Sequence, residues 1–324
     1  MTTIYSNLTK SDLEEIQEMV AQNSLIALPT ETVYGLAGNA LHDSAVVKIF
    51  ELKGRPSFNP LIIHFADDKA AFEQVDASKA AHQLAQAFWP GPLTLVLPRK
   101  KTCTISHLAS AGLETLAVRV PGHSMALEVL EYTQIPLAAP SANLSESISP
   151  TCAQDVIDSF GLEDERLGAI LDGGPCDEGL ESTILDLSTD QPVILRPGVI
   201  TQEMLSEVLG VPVLSASEAG KTIKSPGQMK RHYAPKIPLR INVTEVREGE
   251  ALLAFGLPLE TEGYTMTLNL SKSQDLSEAA ANLFAYLRAL DQGAFQGIAV
   301  MPIPNQGIGI AINDRLNRAV SKGD

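Results

Sequence analysis

The chain has 324 residues, enough for two domains with separate cores. Its 44% hydrophobic and 19% charged content is that of an ordinary globular protein, and a formal net charge of −15 argues against a broad nucleic-acid-binding surface, which needs clustered Lys and Arg. Cys103, Cys152 and Cys176 form no Cys-x-x-Cys pair, Met1 to Glu15 lacks a signal-peptide pattern, and no apolar run reaches the ~18 residues of a membrane span, so a reducing, cytoplasmic setting is expected.

Ser11-Asp12-Leu13-Glu14 reads as a capping box with Ser11 as N-cap, opening an amphipathic helix that runs to about Asn23. Leu25 to Leu28 is a short buried strand. It meets Pro29-Thr30-Glu31-Thr32-Val33-Tyr34-Gly35-Leu36, whose hydroxyls could face a ligand or simply suit an edge strand. Asp43 is expected to cap the next helix, which delivers the chain into Lys53-Gly54-Arg55-Pro56-Ser57-Phe58-Asn59-Pro60. Gly54, Pro56 and Pro60 predict an irregular loop, and Leu61 to Phe65 a buried strand carrying His64. Two cations two residues apart without a neighbouring carboxylate suggest a phosphate between them; a solvated basic turn is the plainer alternative.

Ser78 to Phe88 is helical and stops at Trp89-Pro90-Gly91-Pro92, with Trp89 read as a core anchor, and Leu93 to Leu97 is a strand. Leu116 to Val120 is a strand with Arg119 inside it, and a cation there needs an anion. That anion is either a ligand carboxylate or a structural ion-pair partner. A helix over His123–Tyr132 and a strand over Pro136–Ala139 lead to Pro140-Ser141-Ala142-Asn143-Leu144-Ser145, an anion nest or a plain turn. Strands follow at Glu181–Leu187, with Ser182 near its start, and at Val193–Arg196. A helix over Thr201–Leu209 closes the first domain, residues 1–208.

Residues 209–238 lose apolar periodicity and read as a linker whose Tyr-bearing basic cluster, Lys230 to Pro235, suggests a functional role. Residues 239–324 form a smaller α/β unit, with strands near Leu239–Val243, Ala251–Phe255, Thr265–Leu268 and Gly297–Met301 and helices near Ser277–Leu290 and Gly309–Val320. There is no G-x-G-x-x-G, no Walker motif, no G-x-S-x-G, no H-E-x-x-H, and no metal-ligand spacing among the six histidines.

Taken in order, the Pro29–Leu36 stretch, Lys53-x-Arg55-Pro56, Asn59-Pro60-Leu61, Trp89-Pro90-Gly91-Pro92-Leu93-Thr94, Arg119-x-Pro121, Pro140-Ser141-Ala142-Asn143, Ser182-Thr183 and Arg196-Pro197-Gly198 resemble the YrdC-like threonylcarbamoyl-AMP synthases. The resemblance spans about residues 10 to 208, and His232-Tyr233-Ala234-Pro235 with the second unit resembles the longer, two-domain form. Gly227 to Arg231 depart from the order that form shows.

The resemblance implies an open, twisted, mixed YrdC-like sheet with helices, followed by the linker and a smaller Rossmann-like α/β domain. It implies that L-threonine, bicarbonate and ATP yield L-threonylcarbamoyl-AMP and pyrophosphate, for threonylcarbamoyl modification of tRNA by a second enzyme. Lys53, Arg55, Ser141 and Asn143 would surround the phosphates, and Asn59, Ser149, Arg196 and Tyr233 would also contact ATP. Thr32, His64, Arg119 and Ser182 would hold threonine. Magnesium is expected to arrive with ATP, without a dedicated protein cage. The competing readings are an RNA-binding module, disfavoured by the charge, a carbamoyl-adenylate-forming carbamoyltransferase, which would carry Cys-rich zinc modules, and a sensor that keeps the pocket without the activity.

Overall fold

A computed structural model describes residues 2–219, 233–259 and 266–320. The first domain contains β1 (Thr3–Tyr5), α1 (Lys10–Ala21), β2 (Leu25–Leu28), β3 (Gly35–Asn39), α2 (Asp43–Lys53), β4 (Ile62–His64), α3 (Asp68–Gln74), α4 (Lys79–Phe88), β5 (Leu93–Pro98) and β6 (Thr115–Arg119). It continues through α5 (Ser124–Thr133), β7 (Leu137–Ala138), α6 (Ala153–Phe160), β8 (Leu167–Leu171), β9 (Thr183–Asp186), β10 (Val193–Arg196), α7 (Gln202–Leu209) and β11 (Leu214–Ser215). The strands form one mixed sheet in the order β1-β8-β2-β3-β7-β4-β6-β5-β9-β10-β11. Its last strand lies inside the stretch read from the sequence as linker.

Both faces of this sheet are covered, and β2 shows why. Its four residues are all apolar and buried. Successive side chains point to opposite faces, so Leu25 and Ala27 enter one core with Val46 and Ile49 of α2, while Ile26 and Leu28 enter a second with Ile16 of α1 and Leu130 of α5.

Local signals correct two expectations. Thr9, not Ser11, caps α1: its hydroxyl accepts from the Asp12 amide at 3.3 Å, and the Asp12 carboxylate accepts from the Thr9 amide at 2.8 Å. A box opening two residues further along, at Ser11, would have left Thr9 and Asp12 without these bonds. His42 occupies the cap position of α2, and Asp43 is the first helical residue, its carboxylate accepting the Ser106 hydroxyl.

The second domain contains β12 (Leu239–Arg240), β13 (Glu250–Ala254), β14 (Thr267–Asn269), α8 (Leu276–Asp291), β15 (Gly297–Val300) and α9 (Ile308–Val320). Its sheet, ordered β12-β15-β13-β14, is parallel throughout. Thr265 and the cluster residues Lys230, Arg231 and His232 lie outside the described residues; Tyr233 lies within them. The apolar core of α8 and α9 takes in Val33, Ile148 and Leu180 of the first domain together with Tyr233, so the two domains share buried surface. Among the described residues no helix is long and apolar enough to cross a membrane.

Candidate active site

β4 and β6 run parallel and end side by side, with His64 paired in register to Arg119. The turn after β2, the loop after α2, the turn after β7 and the start of β9 converge on the same place. Together they enclose a cleft of about 580 Å³, its mouth included, and Tyr233 closes one side. Of the residues singled out from the sequence, Thr32, Arg55, His64, Arg119, Ser141, Ser182, Arg196 and Tyr233 line it. Lys53, Asn59, Asn143 and Ser149 are buried and lie behind the lining.

At one end Arg119 is held from three directions. Its Nε donates to the Gly91 carbonyl at 3.2 Å, and its Nη2 donates to Glu31 Oε1 at 2.6 Å and to Thr32 Oγ1 at 3.0 Å. Of the two partners left open for this cation, the fold supplies Glu31. The pair leaves the Nη1 edge without a protein partner among the described residues. Thr30 Oγ1 braces Thr32 Oγ1 at 2.8 Å. His64 is fully enclosed, and burial followed by the Arg119 charge pulls its pKa down to about 3, so its imidazole is neutral at ordinary pH. Its Nδ1 is buried without a hydrogen-bond partner among the described residues. Ser182 Oγ sits between Thr94 Oγ1 at 2.8 Å and Arg196 Nη2 at 3.1 Å.

The other end is built on the close of α2. Gly54 is the C-cap in the left-handed region, with φ of 59°, a turn that glycine makes without penalty. Lys53, the last helical residue, is buried; its Nζ donates to the Ser141 carbonyl and, at 2.5 Å, to the Asn143 carbonyl. Burial and the Arg55 charge push its pKa well below the ordinary value, against the pull of Glu181. Lys53 therefore shapes the Ser141–Asn143 turn rather than facing the cleft. Arg55 does face it, fixed by the Asn59 carbonyl at 3.2 Å and the Pro60 carbonyl at 3.0 Å. The Asn143 amide nitrogen donates to the Leu144 and Ser147 carbonyls at 2.7 and 2.9 Å.

Arg196 is set by two bonds to the Ser182 carbonyl, at 3.1 and 2.9 Å. The turn after it packs so closely that a Cβ on Gly198 would lie 2.5 Å from the Thr183 amide nitrogen, so no side chain fits there. Burial and then Arg196 lower the Arg55 pKa to about 10, and burial lowers that of Arg196 as well. Two guanidiniums thus face one space, and among the described residues neither has a carboxylate at ion-pair distance. An anion between them would relieve both the desolvation and the mutual repulsion.

Glu31, Glu181 and Arg315 also build this region and were not singled out as site residues. Arg315 Nε donates to Glu181 Oε2 at 2.9 Å, and Ser149 Oγ donates to Glu181 Oε1 at 2.5 Å. Glu31 sits between two threonines and gives no signal of its own. Arg315 does give one: it interrupts an apolar stripe of α9 formed by Ala311, Ile312, Leu316 and Ala319.

Residues 18–198 match the Sua5–YciO–YrdC family, described as telomere recombination, and residues 200–321 match the threonylcarbamoyl-AMP synthase C-terminal domain. The threonylcarbamoyl-AMP synthase of Pyrococcus abyssi is 39% identical over 93% of this chain and 91% of its own. That of Bacillus subtilis is 40% identical over 93% of this chain and 90% of its own. The crystal structure of P. abyssi Sua5 complexed with L-threonine superposes with a TM-score of 0.87 at 34% identity, covering 99% of this chain and 97% of that one. The chain belongs to the Sua5–YciO–YrdC family and, with both of its domains, to the threonylcarbamoyl-AMP synthases within it.

Proposed function

We propose that this cleft joins L-threonine, bicarbonate and ATP into L-threonylcarbamoyl-AMP and pyrophosphate. The amine of threonine combines with bicarbonate, losing water, to give a carbamate. A carbamate oxygen then forms a bond to the α-phosphorus as the bond to the pyrophosphate oxygen breaks, and pyrophosphate leaves with that electron pair. Both partners are anions, so the protein's task is to neutralise charge and to align the two in one line.

The observation that carries the reading is the convergence of Arg55, Arg119 and Arg196 on one cleft, with Arg119 alone of the three matched by a carboxylate among the described residues. We assign the Arg55–Ser141–Arg196 end to the triphosphate, with Lys53, Asn59, Asn143 and Ser149 shaping it from behind. The Arg119–Thr32–His64–Ser182 end goes to threonine. There the Nη1 edge of Arg119 meets the carboxylate, and the neutral imidazole can hydrogen-bond without adding charge. Tyr233 covers the nucleotide and keeps water from the mixed anhydride.

Magnesium enters this reading with ATP. Among the described residues no group of three or more His, Cys, Asp and Glu side chains could hold a metal, and Glu31 and Glu181 are engaged by Arg119 and Arg315. Such walls suit an ion carried by phosphate and water oxygens, as Mg²⁺ commonly is. Bound there, it would neutralise phosphate charge. The product passes to a tRNA-modifying transfer enzyme in the cytoplasm, with no strong direct contact between this acidic chain and nucleic acid.

Pyrophosphate release measured with threonine, bicarbonate and ATP, each omitted in turn, tests the reading. Release should require all three. Release that persists without threonine, or that needs carbamoyl phosphate, would refute it.

A further inference from the structure

The second domain reaches the cleft walls through Arg315 of α9. This side chain is wholly buried. Besides Glu181, it holds the Pro197 carbonyl, which accepts from its Nη1 at 2.9 Å, and Asp314 Oδ2 accepts from the same nitrogen at 3.0 Å. Its guanidinium carbon lies 5.4 Å from the centre of the Tyr233 ring, and that ring also stacks on Phe284 at 5.3 Å. One cation from the second domain therefore touches Glu181, the residue after Arg196, and Tyr233, and Glu181, Arg196 and Tyr233 all line the cleft.

Stability alone does not account for this arrangement. A buried ion pair gives little net stability over apolar side chains of the same volume. The Nη2 of Arg315 is also buried without a partner among the described residues, which is a further cost. A lysine would carry the same charge, yet it could not reach the Glu181 carboxylate and the Pro197 carbonyl along two edges of one plane.

We propose that Arg315 is a positioning residue for nucleotide binding. It turns the Glu181 carboxylate, fixes the Pro197 carbonyl so that Arg196 keeps its aim, and seats the Tyr233 ring. It touches no substrate. Through it the nucleotide end of the cleft depends on the second domain, while the threonine end is assembled from the first domain alone. The proposal rests on the assignment of ATP to the Arg55–Arg196 end.

The test compares the full chain with Arg315→Lys, Arg315→Met and the double variant Glu181→Gln/Arg315→Met. ATP and L-threonine binding are measured separately by calorimetry, alongside thermal unfolding and the KM for each substrate. In Arg315→Met the Kd and KM for ATP should rise about tenfold or more, as for loss of a charged hydrogen-bond network, with Arg315→Lys intermediate. Threonine affinity should stay within about twofold of the parent, which also reports that the variant is folded. The double variant removes both charges of the Arg315–Glu181 pair together, so its unfolding temperature should recover while its ATP affinity stays low. ATP affinity that recovers together with stability, ATP affinity unchanged in Arg315→Met, or equal losses for both ligands would each overturn the proposal. Failure of the unaltered chain to release pyrophosphate from ATP and threonine would instead overturn the reaction assigned above.

Discussion

Arg119 and Glu31 form a buried ion pair of 2.6 Å beside the cleft, and Glu31 Oε2 also accepts the Gly122 amide at 2.9 Å. The carboxylate thus locks the plane of the guanidinium and leaves one edge for a ligand. Glu31→Gln weakens that lock and leaves a buried cation without its counter-charge. The KM for threonine should rise about ten- to hundredfold, corresponding to about 1.5–3 kcal/mol for a charged hydrogen bond, with little change for ATP. Arg119→Ala should show the same selectivity more strongly. Steady-state kinetics with each substrate varied in turn decides the matter; equal effects on the two substrates would mean that threonine is misplaced.

Arg55 differs from Arg119 in having carbonyls, not a carboxylate, as its protein partners. Its charge is left for a substrate. Arg55→Ala should cut pyrophosphate release by about 10²-fold or more, the range for removing one donor that stabilises developing charge. Arg55→Lys should recover only part of it, because an ammonium cannot hold both the Asn59 and Pro60 carbonyls and still present an edge. Turnover near the parent rate in Arg55→Ala would remove this residue from the mechanism.

His64 gives a pH signature. Burial and the Arg119 charge lower its pKa to about 3 in the folded chain, against an ordinary 6.5. The unfolded chain therefore binds the proton more readily. The contribution of this group to stability is complete above the ordinary value and is lost as pH falls toward the folded one. Urea unfolding of the parent and of His64→Asn, compared between about pH 7 and about pH 4, should show the parent losing ground to the variant as pH drops. A difference that does not vary with pH would place the imidazole in a solvated setting.

The apolar strands were legible because their burial needs no partner to be named: Leu25–Leu28 and Leu61–Phe65 read as core from composition alone. The ends of elements were less so. Ser11 and Thr9 are both good caps, and only the reach of the Asp12 carboxylate to the Thr9 amide decides between them. β1, with three residues of which two are exposed, has no pattern to detect and exists because β8 lies beside it. The cations of the cleft were legible as unusual residues in apolar or proline-rich surroundings. Their partners were not, since Glu31 stands 88 residues from Arg119 and Glu181 stands 134 from Arg315. Pairings at such separation are set by topology, not by local spacing.

The shared core between the domains refines what truncation should do. A chain ending at 208 loses β11, which pairs with β10 beside Arg196, and uncovers Val33, Ile148 and Leu180. A chain ending at 219 uncovers the same three residues and loses the second domain and Tyr233, but it keeps β11. Both should retain threonine poorly as the adenylate: labelled threonylcarbamoyl-AMP should co-elute with the full chain on gel filtration and separate from either truncate. The shorter truncate should in addition unfold at lower temperature. Full retention by the 219-residue form would show that the cover over the nucleotide is dispensable.

Tyr233 is buried with its backbone in the left-handed region, at φ of 63°, where a non-glycine residue costs about 1–2 kcal/mol. The next residue is tied down by the Ala234 amide donating to the Glu146 carbonyl at 2.9 Å. A strained aromatic held between Phe284 and Arg315 makes sense if the ring itself is needed over the cleft. Tyr233→Phe keeps the ring and should leave the lifetime of bound threonylcarbamoyl-AMP near that of the parent. Tyr233→Gly relieves the backbone and removes the ring, and it should shorten that lifetime about tenfold or more through loss of one stacked aromatic cover. Chase experiments with unlabelled product and direct assay of adenylate hydrolysis separate escape from water attack. A glycine variant that holds its product as long as the parent would mean that the strain serves the domain junction and not the chemistry.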